Sequence, residues 1–146
     1  MNTPSSNDTP SNQRVTLLII WSAILFSVLT YCLLAVLISD TPGRMARPDP
    51  LQGALQYLPY LLPLAALVTG LGAYNAIALS EDLPDWKRTK TGFITMLAIF
   101  ESNVIVGLVL FFLGMPVAKF FLFAATTVIL LSVGLWRLMT TWPREG

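Results

Sequence analysis

Four stretches of this chain are each long and apolar enough to cross a bilayer, and little of the sequence lies outside them. A helix needs about 20 mostly apolar residues to span roughly 30 Å of hydrocarbon at 1.5 Å per residue. The windows run over about 15–39, 51–79, 92–113 and 117–139, which predicts an all-α, polytopic membrane protein built as a four-transmembrane-helix bundle. A composition of 55% hydrophobic and 12% charged residues agrees with this, since soluble domains carry about twice that charge. The domain reading is a polar tail over 1–14, a membrane domain over 15–141 and a short tail over 142–146.

The first window ends at the turn-forming run Asp40-Thr41-Pro42-Gly43. Its length, well beyond the 7 to 15 apolar residues of a signal core, marks a retained span rather than a cleaved leader. Cys32 follows the bulky Tyr31 inside a continuing apolar run and reads as a small packing residue. The second window contains Pro59 and Pro63, which predicts a turn or kink there and a straight helix from Leu64. Gly114-Met115-Pro116 separates the third and fourth windows, a connection so short that the two must be antiparallel neighbours. The N-terminal tail has no aliphatic or aromatic side chain after Met1 and is expected to be disordered.

Lys and Arg set the orientation. With four spans, Arg14, Lys87, Arg88, Lys90, Arg137 and Arg144 share one side, against Arg44, Arg47 and Lys119 on the other. This predicts cytoplasmic N- and C-termini, with Trp86, Trp136 and Trp142 as an interfacial belt. The net charge of +1 without a basic block implies no nucleic-acid partner and no strong attraction to anionic lipid.

One acidic residue lies deep in a span. Glu101 is about nine residues beyond Gly92, roughly 14 Å into the membrane. A charged side chain at helix centre costs about 2.5 to 3.5 kcal/mol on insertion scales, so Glu101 is expected to face protein or water and to stay neutral unless a cation or donor is close. No Lys or Arg falls at matching depth. The groups counted to that level are Ser22 or Ser27 on the first span, Thr69 with Gly70 and Gly72 on the second, Asn103 on the third, and Thr126 and Thr127 on the fourth. Ser22 and Ser27 are about 140° apart around their helix, so only one can point inward; Thr30 and Tyr31 extend the face of Ser27. These residues are read as a polar cluster around Glu101, with Gly70, Gly72 and Gly107 permitting close helix approach. Tyr74 and Asn75 lie about a turn nearer the cytoplasm, placed to link the cluster to water. Within a span, hydroxyls commonly bond to the carbonyl one turn back instead.

The run Glu101-Ser102-Asn103-Val104-Ile105-Val106-Gly107-Leu108-Val109-Leu110 resembles the carboxylate helix of rotary ATPase proteolipid (c-type) subunits, and Gly70-Leu71-Gly72 with the polar loop containing Pro84 is loosely similar to that family's hairpin. The resemblance implies a reversible proton or cation site at Glu101. The chain departs from the family in lacking a dense glycine repeat and in having two further spans, so the likeness reads as a local way of holding a carboxyl in lipid. In overall layout the chain also looks similar to small uncharacterised bacterial four-span membrane proteins with one acidic residue in the third span. That implies a bacterial inner (cytoplasmic) membrane location and assigns no activity.

Zero His and one Cys remove imidazole haem ligation, His-containing zinc sites, thiolate clusters and internal disulfides, so no metal or cofactor is expected. There is no His base, phosphate-cradling glycine loop, nucleophile elbow or pair of intramembrane carboxylates, and the chain reads as a non-enzyme. The favoured role is an accessory or assembly component of a membrane complex, in contact with lipid and with a membrane-protein partner or further copies of itself. The alternative is a proton or cation conduit in an oligomer.

Overall fold

The computed structural model describes residues 10–39, 49–51, 53–79 and 85–141. Within them the chain forms α1 (Pro10–Ser39), a short 3-10 turn (Gly53–Tyr57), α2 (Leu58–Ala78), α3 (Asp85–Phe112) and α4 (Val117–Thr141). Each α-helix contains a window long and apolar enough to cross a membrane, and the chain is an all-α, multi-pass membrane protein. The tail over 1–9, the run Asp40-Thr41-Pro42-Gly43, the loop over 80–84 and the C-terminal residues 142–146 lie outside the described residues.

Two helices begin before their apolar windows. α1 is helical from Pro10, so the last five residues assigned to a disordered tail belong to the first helix. Proline suits a first helical position, where its missing N–H would have had no intrahelical partner. α3 starts at Asp85 instead of Gly92, which turns the basic half of the expected loop into helix. An acidic side chain in the first turn complements the positive end of the helix dipole, and Arg88 approaches Asp85 at 3.7 Å. In α2 the helix runs from Leu58 straight through Pro63, where the sequence suggested regular helix only from Leu64. Pro59 falls in the first turn and Pro63 forfeits one backbone bond, and both rings are buried.

The α3–α4 connection is closed by its backbone. Gly114 has φ 117°, a conformation that side chains rarely adopt. Its N–H donates to the Phe111 carbonyl at 3.1 Å while Met115 N–H donates to the Leu110 carbonyl at 3.0 Å. This is the paired pattern that ends a helix on a glycine. The Pro116 carbonyl then accepts from Lys119 and Phe120, starting α4, and Met115 packs fully buried beneath the turn.

α3 and α4 form the central pair. α1 and α2 each touch both of them and scarcely touch one another, which puts them on opposite sides of that pair. The inner face of α3 presents Phe93, Met96, Leu97, Phe100, Val104 and Phe111, met from α4 by Phe120, Phe123, Leu131 and Leu138. Phe112 and Phe121 are exposed. Glycines set the closest approaches: a Cβ on Gly107 would lie 2.6 Å from Phe123 Cβ, and one on Gly70 would lie 2.5 Å from the Phe100 ring. Gly72 meets nothing within 4 Å. Two residues turn a helix by about 200°, so Gly72 lies on the far side of α2 from Gly70 and takes no part in close packing.

Candidate functional site

The interior polar group at mid-depth is Asn103, 3% exposed on the inner face of α3. Its Nδ2 donates to Thr127 Oγ1 at 2.9 Å and lies 3.3 Å from both Thr126 Oγ1 and the Phe123 carbonyl. Thr127 donates its own proton to the Phe123 carbonyl at 2.8 Å, and Thr126 donates to the Leu122 and Phe123 carbonyls. With those protons committed to α4, both hydroxyls present lone pairs to the amide. A carbonyl can only accept, so Phe123 fixes the amide with its nitrogen toward α4. Asn103 Oδ1 is then turned away, buried and without a hydrogen-bond partner among the described residues.

Glu101 is not the centre of this cluster. It is half-buried and stands about 200° around α3 from Asn103. Lys90, eleven residues earlier and therefore within about 20° of the same face, donates to Gln13 Oε1 at 2.9 Å, which identifies that flank as the one facing α1. α1 and α3 run parallel, so the α1 residue level with Glu101 is about eleven beyond Gln13, at Ile24. At about that level of α1, Ile24, Leu25 and Val28 belong to the apolar core, and the Trp21 N–H is taken by the Leu131 carbonyl. Among the described residues no hydrogen bond or ion pair involves Glu101.

The other residues expected around Glu101 are dispersed. Ser22 is exposed on α1, while Ser27 donates to the Ala23 carbonyl at 3.1 Å and Thr30 to that of Phe26 at 2.9 Å. Thr69 donates to the Ala65 carbonyl at 2.5 Å and lines, with Ser102 and Asn103, a 170 Å³ crevice between α2 and α3. The structure thus brings together Asn103, Thr126 and Thr127, places Thr69 beside them across the crevice, and leaves Glu101, Ser22 and Ser27 apart. The reason is angular: depth along a helix says nothing about which way a residue faces.

Several ties between helices carry no depth-matched signal in the sequence. Trp21 Nε1 donates to the Leu131 carbonyl at 2.9 Å, joining α1 to α4 through a backbone acceptor that no side-chain pattern announces. Tyr74 and Asn75 do not reach the midplane group. Tyr74 Oη shares a hydrogen bond of 2.6 Å with Thr141 Oγ1, and Arg137 donates to Asn75 Oδ1 at 3.2 Å while lying 5.7 Å over the Tyr74 ring. At the opposite end of the bundle, Lys119 pairs with Asp49 and donates to the Leu51 carbonyl at 3.2 Å, and Leu51 N–H donates back to Asp49 Oδ1 at 2.9 Å. Desolvation works against ionisation of Asp49, but the Lys119 ammonium and the Leu51 N–H outweigh it and hold the carboxyl below its ordinary range. No protein-family model, curated protein or solved structure matches the chain.

Proposed function

We propose that this protein is a non-enzymatic accessory or assembly component of a membrane complex in a bacterial inner membrane, with both termini in the cytoplasm. The observation that carries the reading is the position of Glu101: a carboxyl in the middle of α3, half-buried, about 200° around the helix from Asn103 and with no hydrogen bond or ion pair among the described residues. An acid left in that position is costly unless another polar group meets it, and a helix from a second chain supplies one at a cost no internal residue bears. α1, the helix beside it, shows lipid-facing Phe26, Leu29, Leu33 and Leu37 along its outer side.

The test is gentle-detergent purification of the full chain with mass spectrometry of co-purifying proteins, repeated for Glu101→Gln and Glu101→Leu. The amide keeps hydrogen-bonding capacity, so Glu101→Gln is expected to retain the partner and Glu101→Leu to lose it. Recovery of the same partners with Glu101→Leu would overturn the assembly role. The same unbonded carboxyl is also what a reversible proton site requires, and there Glu101→Gln abolishes activity of the host system as completely as Glu101→Leu does, because an amide does not titrate.

A further inference from the structure

Glu101 and Ser102 are adjacent in sequence and opposite in what they offer. In its neutral form the Glu101 carboxyl has an O–H to donate, and among the described residues no hydrogen bond or ion pair involves it. The Ser102 hydroxyl has already donated to the Ile99 carbonyl at 2.6 Å, so it presents lone pairs. Ser102 is exposed and lines the 170 Å³ crevice between α2 and α3. The other polar residues of that crevice add acceptors: Thr69 has given its proton to the Ala65 carbonyl, and Asn103 Oδ1 is buried without a partner among the described residues. A donor without an acceptor and a set of acceptors without a donor thus sit at the same level of one helix.

They also flank one exposed strip. Ser102 points about 100° around α3 from Glu101, while Ala98 and Ile105 project between the two, at about 60° and 40° from Glu101. Ala98 is exposed, as are Ile105 and Phe112, and the three recur every seven residues, the spacing that keeps a seam facing a second helix. The small Ala98 side chain permits close approach. Copies of one chain insert with the same orientation, since they carry the same Lys and Arg distribution. Two copies related by a two-fold axis along the membrane normal therefore place their α3 helices parallel and level. In such a pair one flank of each helix meets the other flank of its partner, as at the edges of a parallel coiled coil. Glu101 of each copy then faces Ser102 of the other, and the contact occurs twice.

We propose that the partner meeting Glu101 is a second copy of this chain, packed α3 against α3 across Ala98 and Ile105, with each neutral Glu101 carboxyl donating to the opposing Ser102 hydroxyl at the crevice. This rests on the reading that Glu101 is met from a second chain, and it names that chain. A partner of different sequence would have to bring its own donor and acceptor to matching depth; a second copy has both.

The experiment uses the full chain in mild detergent. Sedimentation equilibrium measures self-association, and oxidative cross-linking maps the seam in a Cys32→Ser background, Cys32 being the chain's single cysteine. A disulfide needs Cα atoms within about 7 Å, so Ala98→Cys and Ile105→Cys are expected to form linked dimers, and Ile129→Cys, exposed on α4, is not. Glu101→Leu and Ser102→Ala are each expected to weaken the dimer about tenfold, because the two-fold axis removes two interhelical bonds at once. Glu101→Gln, which still donates, is expected to dimerise as wild type does. Far-UV circular dichroism and a monodisperse elution profile confirm that each variant is folded. A monomeric wild type without cross-links at Ala98→Cys or Ile105→Cys overturns the second-copy assignment, and a dimer indifferent to both Glu101→Leu and Ser102→Ala overturns the pairing. The assembly role fails separately: a Glu101-dependent dimer whose co-purifying proteins all survive Glu101→Leu upholds the pairing and overturns that role, whereas a monomer that loses them with Glu101→Leu does the reverse.

Discussion

Asn103 Nδ2 lies 2.9 Å from Thr127 Oγ1, deep between α3 and α4, and the hydroxyl it meets has already given its proton to its own helix. The bond therefore joins α3 to α4 without displacing the one that Thr127 makes within α4. Interhelical hydrogen bonds of this kind in membranes are worth about 0.6 kcal/mol on average and at most about 1.7.

Asn103→Leu is expected to change stability by no more than about 1 kcal/mol in either direction, because it removes the hydrogen bond and the unpartnered Oδ1 together. Unfolding of the purified protein in mixed micelles measures this. A loss of about 3 kcal/mol or more would show that Oδ1 is matched to a donor in the working protein.

The glycines should rank by what a methyl group would strike. Gly107→Ala drives a Cβ to 2.6 Å from Phe123 Cβ, which is tied to the α4 backbone, and is expected to cost about 1 to 3 kcal/mol. Gly70→Ala meets the rim of the Phe100 ring, which can swing aside, and should cost less. Gly72→Ala enters open space and should be neutral or stabilising by about 0.5 to 1 kcal/mol through helix propensity. Melting temperatures in one detergent give the order directly, and Gly72→Ala falling below Gly107→Ala would contradict it.

Trp21→Phe keeps most of the ring and removes the N–H that reaches the Leu131 carbonyl. Because α1 buries few side chains, this bond weighs heavily in its attachment, and its loss is expected to cost about 1 kcal/mol. Limited proteolysis of the α1–α2 connection should quicken, whereas an unchanged rate would mean that apolar contacts alone hold α1.

Asp49 should make the protein acid-sensitive. A carboxyl whose folded-state pKa lies below its unfolded value near 3.9 stabilises the fold fully above that value. This contribution disappears as pH falls from about 4 through the lowered pKa. Thermal stability of the wild type, scanned downward from pH 5, should therefore decline more steeply than that of Asp49→Asn, which has no proton to take up. Parallel curves would show that the Lys119 pairing contributes nothing.

Much of the architecture is legible in the order of residues. Four apolar runs of spanning length leave helices as the reading, and Gly114-Met115-Pro116 forces α3 and α4 to be neighbours because so short a connection reaches nowhere else. The depth of Glu101 and Asn103 is likewise a matter of counting. Boundaries were less legible where Pro10 and Asp85 start helices in polar sequence, since local caps and dipoles extend a helix past its apolar run. The facing of each side chain belonged to tertiary structure alone. Lipid is as apolar as leucine, so spans such as α1 and α2 carry apolar side chains on every side and no stripe marks the interior. Packing therefore decided that Asn103 is central and Glu101 lateral, and that Arg14 reaches Met139 of α4 while Lys90 of α3 reaches Gln13 of α1.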